Sequence, residues 1–224
     1  YPDAVPLMPT LAEDFLANPN GSLVTVRCWP WVQGKVVLIG DAAHAIVPFY
    51  GQGMNCAFED CRELAACLAR PRDQRSALEE FEAARKPNAD AIADMAVENF
   101  VEMRDKTGRP EFLYRKRVEQ AVHAMFPDRW TPQYNLVSFS TVPYVEARRR
   151  GRELDAVLDG VVARVPAERV KEVGEERWRG EIREAVEARI ANRESPIGSK
   201  EGGIIDISPV ISARLAVWPG DTPP

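Results

Sequence analysis

The 224-residue sequence has no run of 18 or more apolar residues, so it offers no membrane-spanning helix. It has no surplus of basic charge: 34 acidic residues stand against 29 basic ones, a net charge of −5. With a pI near 5.3, the chain lacks the cationic face that nucleic-acid binding needs. It has only four cysteines, too few for a disulfide scaffold. Three of them, Cys56, Cys61 and Cys67, share one expected helix and read as reduced packing residues of a cytoplasmic protein. With only two histidines, His44 and His123, and no CxxC pair, no metal site is expected. No Ser/His/Asp or Cys/His constellation is evident, so no side chain is assigned as catalytic nucleophile or base. A GxGxxG dinucleotide fingerprint is also missing. The chain opens at Tyr1 without a signal segment and closes on Pro223-Pro224, and both ends read as cut.

What is present has ordinary globular composition, 45% hydrophobic and 28% charged. Thr10 is placed as the N-cap of a short helix to Ala17, with Glu13 completing a capping box. Ser22–Arg27 alternates and reads as a strand. Lys35–Ile39, bounded by Gly34 and Gly40, reads as a strand buried on both faces of a parallel or mixed sheet. Helices are expected over 54–70, 73–86, 88–104 and 111–125, with Pro87 dividing the second from the third. Leu136–Thr141 is β-like, and 145–194 reads as two solvent-facing helices broken near Pro166. The fold class is therefore α/β (α+β), with an expected division into 1–104, a helical cap 105–194, a linker 195–203 and a β-like segment 204–224.

The segment from Val36 to Cys61 carries most of the chemical information. Asp41 follows a strand-like run, where α/β sheets place ligand-binding groups. Gly51 and Gly53 remove side chains at a helix start, whose free N–H groups suit an electron-rich partner. Spacing alone leaves open a plain strand–loop–helix connection with Asp41 as a turn residue. On the helix 88–104, Ile92, Met95, Ala96, Asn99, Glu102 and Met103 recur at intervals of three and four and share a face. Asn99 and Glu102 would need partners if buried, or would face solvent if the helix is rotated.

Gly40-Asp41-Ala42-Ala43-His44, with Pro48 and Gly51-Gln52-Gly53-Met54-Asn55, resembles the second FAD motif of the FAD-dependent aromatic-ring monooxygenases. That resemblance implies part of a Rossmann-like FAD-binding domain with a substrate-domain strand. It implies FAD contacts from Gly40, Asp41, Pro48, Gly51, Gln52, Gly53, Met54 and Asn55. His44 is expected to make a structural hydrogen bond.

Val47–Asn55, Asn99–Arg104 and Tyr134 with Val137–Tyr144 look like the kynurenine 3-monooxygenase branch of that family. This implies L-kynurenine and O2 as substrates, NADPH as co-substrate, and a flavin C4a-hydroperoxide as hydroxylating agent. The implied substrate wall is Phe49, Tyr50, Asn99, Glu102, Met103 and Tyr134. Tyr50 stands where other forms carry His, so no acid–base role is given to it. The motifs cover the C-terminal half of the family's pattern, so the N-terminal half is expected as a missing partner and the chain alone is expected not to hold FAD tightly. The alternatives are another ring hydroxylase, such as a salicylate-type enzyme, or a non-catalytic fragment or fusion product. Ile205–Pro209 and Val217–Pro223 resemble the start of bacterial kynurenine formamidase, without that family's metal motif.

Overall fold

The computed structural model describes residues 2–19 and 21–191. The linker 195–203 and the segment 204–224 lie outside them. Helices dominate the described residues. After α1 (Leu11–Ala17), the strands β1 (Val32–Gln33) and β2 (Val36–Val37) pair as an antiparallel hairpin around Gly34. A short turn, α2 (Asp41–His44), and a 3₁₀ turn (Pro48–Tyr50) lead into α3 (Gly53–Leu68). The long α4 (Gln74–Asp105) follows, then α5 (Pro110–Met125), α6 (Gln133–Phe139), α7 (Tyr144–Arg164), α8 (Glu168–Val173) and α9 (Glu175–Ala191).

Several expectations from sequence are corrected. Ser22–Arg27 forms no strand, and Lys35–Ile39 contributes only Val36 and Val37 to a ladder. A strand buried on both faces needs strand neighbours as well as covering layers. Among the described residues only Val32–Gln33 supplies a neighbour, so Val36 is exposed and no parallel sheet forms. Leu136–Thr141 is mostly helical, with Leu136 and Val137 buried from α6. Six residues, of which Leu136, Val137 and Phe139 are apolar, do not decide between the two periods. Among the described residues, 145–191 holds three helices, because Gly174, at φ 78, ends α8 before α9 starts. Thr10 stands at the N-cap of α1, but its hydroxyl caps no backbone N–H and instead donates to the Asp14 carboxylate at 2.8 Å. Cys56 and Cys67 are buried as expected of packing residues, but Cys61 is exposed.

Pro87 does not divide α4. Proline in a helix removes one donor to the carbonyl four residues back. Next to it, Asn88 Nδ2 donates to the Ala84 carbonyl at 3.0 Å, and its Oδ1 accepts the N–H of Val145 at 3.2 Å. Asn88 therefore supports the helix beside the proline and satisfies an otherwise unpaired amide at the start of α7.

Two apolar clusters hold the fold. The first gathers Trp31, Phe81, Ile92, Met95, Leu136 and Tyr144 around α3 and α4. The second gathers Tyr114, Val118, Leu158, Trp178 and Ile182 from α5, α7 and α9. Inside the second, Trp178 Nε1 donates to the Tyr114 hydroxyl at 3.0 Å, which donates to the Val165 carbonyl at 2.6 Å. The N-terminal turn of α7 sits in the first cluster and the rest of that helix in the second. Arg148 on α7 adds an ion pair to Glu98 on α4 at 2.7 Å and another to Asp94.

Candidate functional site

The Gly-Asp turn is built by backbone geometry. Gly40 takes φ 58 and ψ −143, a region essentially closed to residues with a side chain. A Cβ there would also approach Ala57 Cβ at 3.3 Å. Gly40 caps α2, whose first residue, Asp41, points its carboxylate into an exposed environment. At the other end His44 is buried, and its Nε2 donates to Asp60 Oδ2 at 2.5 Å.

Pro48 presets the 3₁₀ turn, and Gly51, left-handed at φ 65, ends it. Gly51 and Gly53 have open space where a Cβ would stand. Gln52 is buried and caps the approach to α3. Its Oε1 accepts from Asn55 Nδ2 at 3.0 Å and from the Tyr144 hydroxyl at 3.2 Å. Met54 is 69% exposed and Asn55 is exposed beside it. The first turn of α3 thus presents a backbone with few obstructing side chains, the condition for a flat ligand to approach its N–H groups.

The aromatic turn is gripped from the other side by α4 and α6. Asn99 Nδ2 donates to the Phe49 carbonyl at 2.8 Å. Phe49 packs against Phe100, with ring centroids 4.5 Å apart. Tyr50 stacks on Tyr134 at 5.7 Å and accepts from Gln133 Nε2 at 3.1 Å. Burial pushes the Tyr50 phenol above its ordinary range, so it stays neutral and a hydrogen-bonding group at neutral pH. Tyr50, Asn99, Glu102 and Tyr134 line one cavity of about 350 Å³. Glu102 is paired there with Lys116 at 3.1 Å, and Met103 stays half exposed outside the cavity lining. A second cavity, of about 360 Å³, is lined by Gln52 and Asn55 and walled by Phe58, Phe139 and Tyr144.

The structure therefore joins the residues of two distant motifs at one turn. It also shows contributors that sequence reading missed. Asp60 is wholly buried on α3. It accepts from Gly40 N–H at 3.0 Å, from His44, and from Arg85 Nε at 2.7 Å. Arg85 Nη1 pairs with Glu59 at 2.7 Å and Nη2 donates to the Cys56 carbonyl at 3.1 Å. Burial resists the charge on Asp60, yet its hydrogen bonds to His44, Arg85 and Gly40 outweigh that and hold the carboxyl below its ordinary value. Burial likewise resists the His44 imidazolium, but the bonds to Asp60 and Cys56 prevail and push it up to about 10. A signal for Asp60 did exist: it falls on the same α3 stripe as Cys56 and Cys67, and a carboxylate on a buried stripe requires partners.

Residues 22–96 match the family model described as an FAD binding domain. A kynurenine 3-monooxygenase of Myxococcus xanthus is 53% identical over 164 residues, which cover 73% of this chain and 34% of that protein. The one from Dictyostelium discoideum is 48% identical over 176 residues, 72% of this chain and 38% of its own length. That of Stenotrophomonas maltophilia is 50% identical over 151 residues, 67% of this chain and 33% of its own. The chain spans about a third of the length of the curated relatives it matches.

Proposed function

We propose that this chain is the C-terminal part of an FAD- and NADPH-dependent monooxygenase that hydroxylates L-kynurenine to 3-hydroxykynurenine. The observation that carries this reading is the turn Pro48–Gly53. One side of it is a glycine-opened helix start, and the other is held by Asn99 and stacked on Tyr134. The similarity to kynurenine 3-monooxygenases supports it, at 53% identity over 164 residues to that of Myxococcus xanthus.

The donor set fits FAD. Asp41, exposed at the head of α2, can accept from ribityl hydroxyls. The N–H groups of Gly53–Asn55 can donate to an electron-rich carbonyl of the ring, and the helix start favours negative charge there. When bound, reduced flavin supplies the electrons that activate O2 and pass one oxygen atom to the aromatic ring. The residues of this chain bind and orient. Tyr50 on the cavity and Phe49 beside it would limit water at the reacting ring, and Asn99 and Tyr134 on the same cavity would offer polar atoms to the amino-acid end of the substrate.

Leu23, Val24, Trp29, Val36, Met54 and Phe58 are all exposed within or beside the FAD-domain match. Such a density of bare apolar groups suits a surface that the rest of a larger domain covers. The catalytic reading accordingly belongs to the longer enzyme, and this chain alone is expected to hold FAD weakly. We further propose, from the sequence resemblance alone, that the segment 204–224 is a fused start of a formamidase-type chain.

The test uses the longer enzyme with Asn99→Ala and with Tyr134→Phe. Kynurenine-stimulated NADPH oxidation should lose about tenfold or more in kcat/KM for each, as expected when an orienting hydrogen bond is removed. Stimulation by kynurenine that is indifferent to both changes would favour a ring hydroxylase for another substrate.

A further inference from the structure

Asp60 does more than pair α3 with α4. An interhelical ion pair needs only Arg85, which already satisfies Asp60 Oδ1 at 2.7 Å. The other oxygen, Oδ2, faces the Gly-Asp turn. It accepts the N–H of Gly40, the residue that caps the turn, and the Nε2–H of His44, the residue that ends it. One buried carboxylate oxygen therefore ties both ends of the four-residue turn that carries Asp41. Arg85 holds that carboxylate in place and reaches the Cys56 carbonyl as well, fixing it to the first turns of α3. Asp60 itself sits two helical turns beyond Gly53 on the same helix, so it joins the two candidate flavin-facing pieces in one rigid unit.

The same cluster brings ligand atoms of His44, Cys56 and Asp60 within 4.8 Å of one another, a spacing that a metal ion could use. The Arg85 guanidinium already donates to Asp60 and lies 3.4 Å from the Cys56 sulfur, where it would repel a cation. The cluster is a clamp among protein groups.

We infer that Asp60 is a positioning residue: from inside α3 it fixes the Gly40–His44 turn and so sets where the Asp41 carboxylate meets the ribityl hydroxyls of FAD. This rests on the FAD reading above. The test introduces Asp60→Asn, reading amide hydrogen exchange by NMR in this chain and FAD binding by titration in the longer enzyme. Exchange at residues 40–44 should rise by about tenfold or more while α9 amides stay within about twofold, because loss of the clamp opens that turn locally. The dissociation constant for FAD should rise by about fivefold or more.

Unchanged exchange at 40–44 overturns the inference. So does a rise of equal size on α9, which would make Asp60 a general stabiliser, and so does an FAD affinity equal to that of the unsubstituted enzyme. Should Asp60→Asn fail to fold, His44→Gln leaves the Arg85 pair intact and should raise exchange at 40–44 by about threefold. Asp41→Asn separates the two ideas, since it removes the ribityl acceptor without touching the clamp. If FAD affinity is indifferent to Asp41→Asn, the FAD reading fails, while the exchange data still decide the clamp.

Discussion

Replacing Arg85 with methionine should destabilise the α3–α4 unit by about 3 kcal/mol. Removing one partner of a buried ion pair typically costs about 3–5 kcal/mol, because the other charge is left buried and unpaired. Two features of this site place the loss at the lower end. Asp60 keeps two other donors, the Gly40 amide and the His44 imidazole. Glu59 is 37% exposed at its side chain, so water takes over its solvation and its pair adds little. Methionine fills most of the aliphatic volume of the arginine stem, which keeps a cavity term small. Urea unfolding of protein labelled with 5-fluorotryptophan reads the loss locally. Trp31 reports the cluster around α3 and α4, and Trp178 reports the cluster around α5, α7 and α9. With a slope of about 1–3 kcal/mol per molar urea, the Trp31 midpoint should fall by about 1–3 M. A double-mutant cycle with Asp60→Asn should return a coupling of about 2 kcal/mol, as residues in direct contact are not additive. A loss below about 1 kcal/mol, or additive single effects, would refute the reasoning, since Arg85 would then not be the charge that compensates Asp60.

Gly40→Ala forces a Cβ into a backbone region that only glycine enters freely and against Ala57, so it should cost about 1–3 kcal/mol and be seen as a lower Tm. Trp178→Phe leaves the Tyr114 hydroxyl without its donor in the C-terminal core and should cost about 1–2 kcal/mol in the same assay. His44 has its pKa raised from 6.5 to about 10, so the stability it lends is fully present below pH 6.5 and is lost as pH rises toward 10. Asp60 is lowered from 3.8, so its contribution is present above that value and is lost as pH falls through its folded-state pKa. Urea midpoints measured from pH 6.5 to 10 should therefore decline in the natural sequence and decline less in His44→Gln; equal slopes would contradict the assignment of that charge.

Local chemistry made much of this protein legible. The prolines, glycines and apolar periods of 53–68, 74–105 and 110–125 specify helices with little help from neighbours, because helix hydrogen bonds close within the segment. Gly51 and Gly53 marked a helix start free of side chains, and the open space at both positions bears this out. Asn99 and Tyr134, some 35 positions apart, could be connected only through resemblance, because no spacing rule reaches that far. Strand assignments failed for the opposite reason to helices. Lys35–Ile39 and Ser22–Arg27 have strand composition, but a ladder needs a partner from elsewhere, and among the described residues only Val32–Gln33 provides one. Pro87 reads as a break from sequence, yet α4 runs through it, with Asn88 beside the proline bonded to Ala84 and to the start of α7. The sequence by itself determined the helices within 53–68, 74–105 and 110–125, apart from their continuity across Pro87, and that the chain carries neither a metal-type cysteine pattern nor a long apolar span. Only the tertiary structure decided that Asp60, Arg85 and His44 meet. Charge in a buried site is tolerable only where partners from several elements converge, and that convergence depends on packing among distant segments.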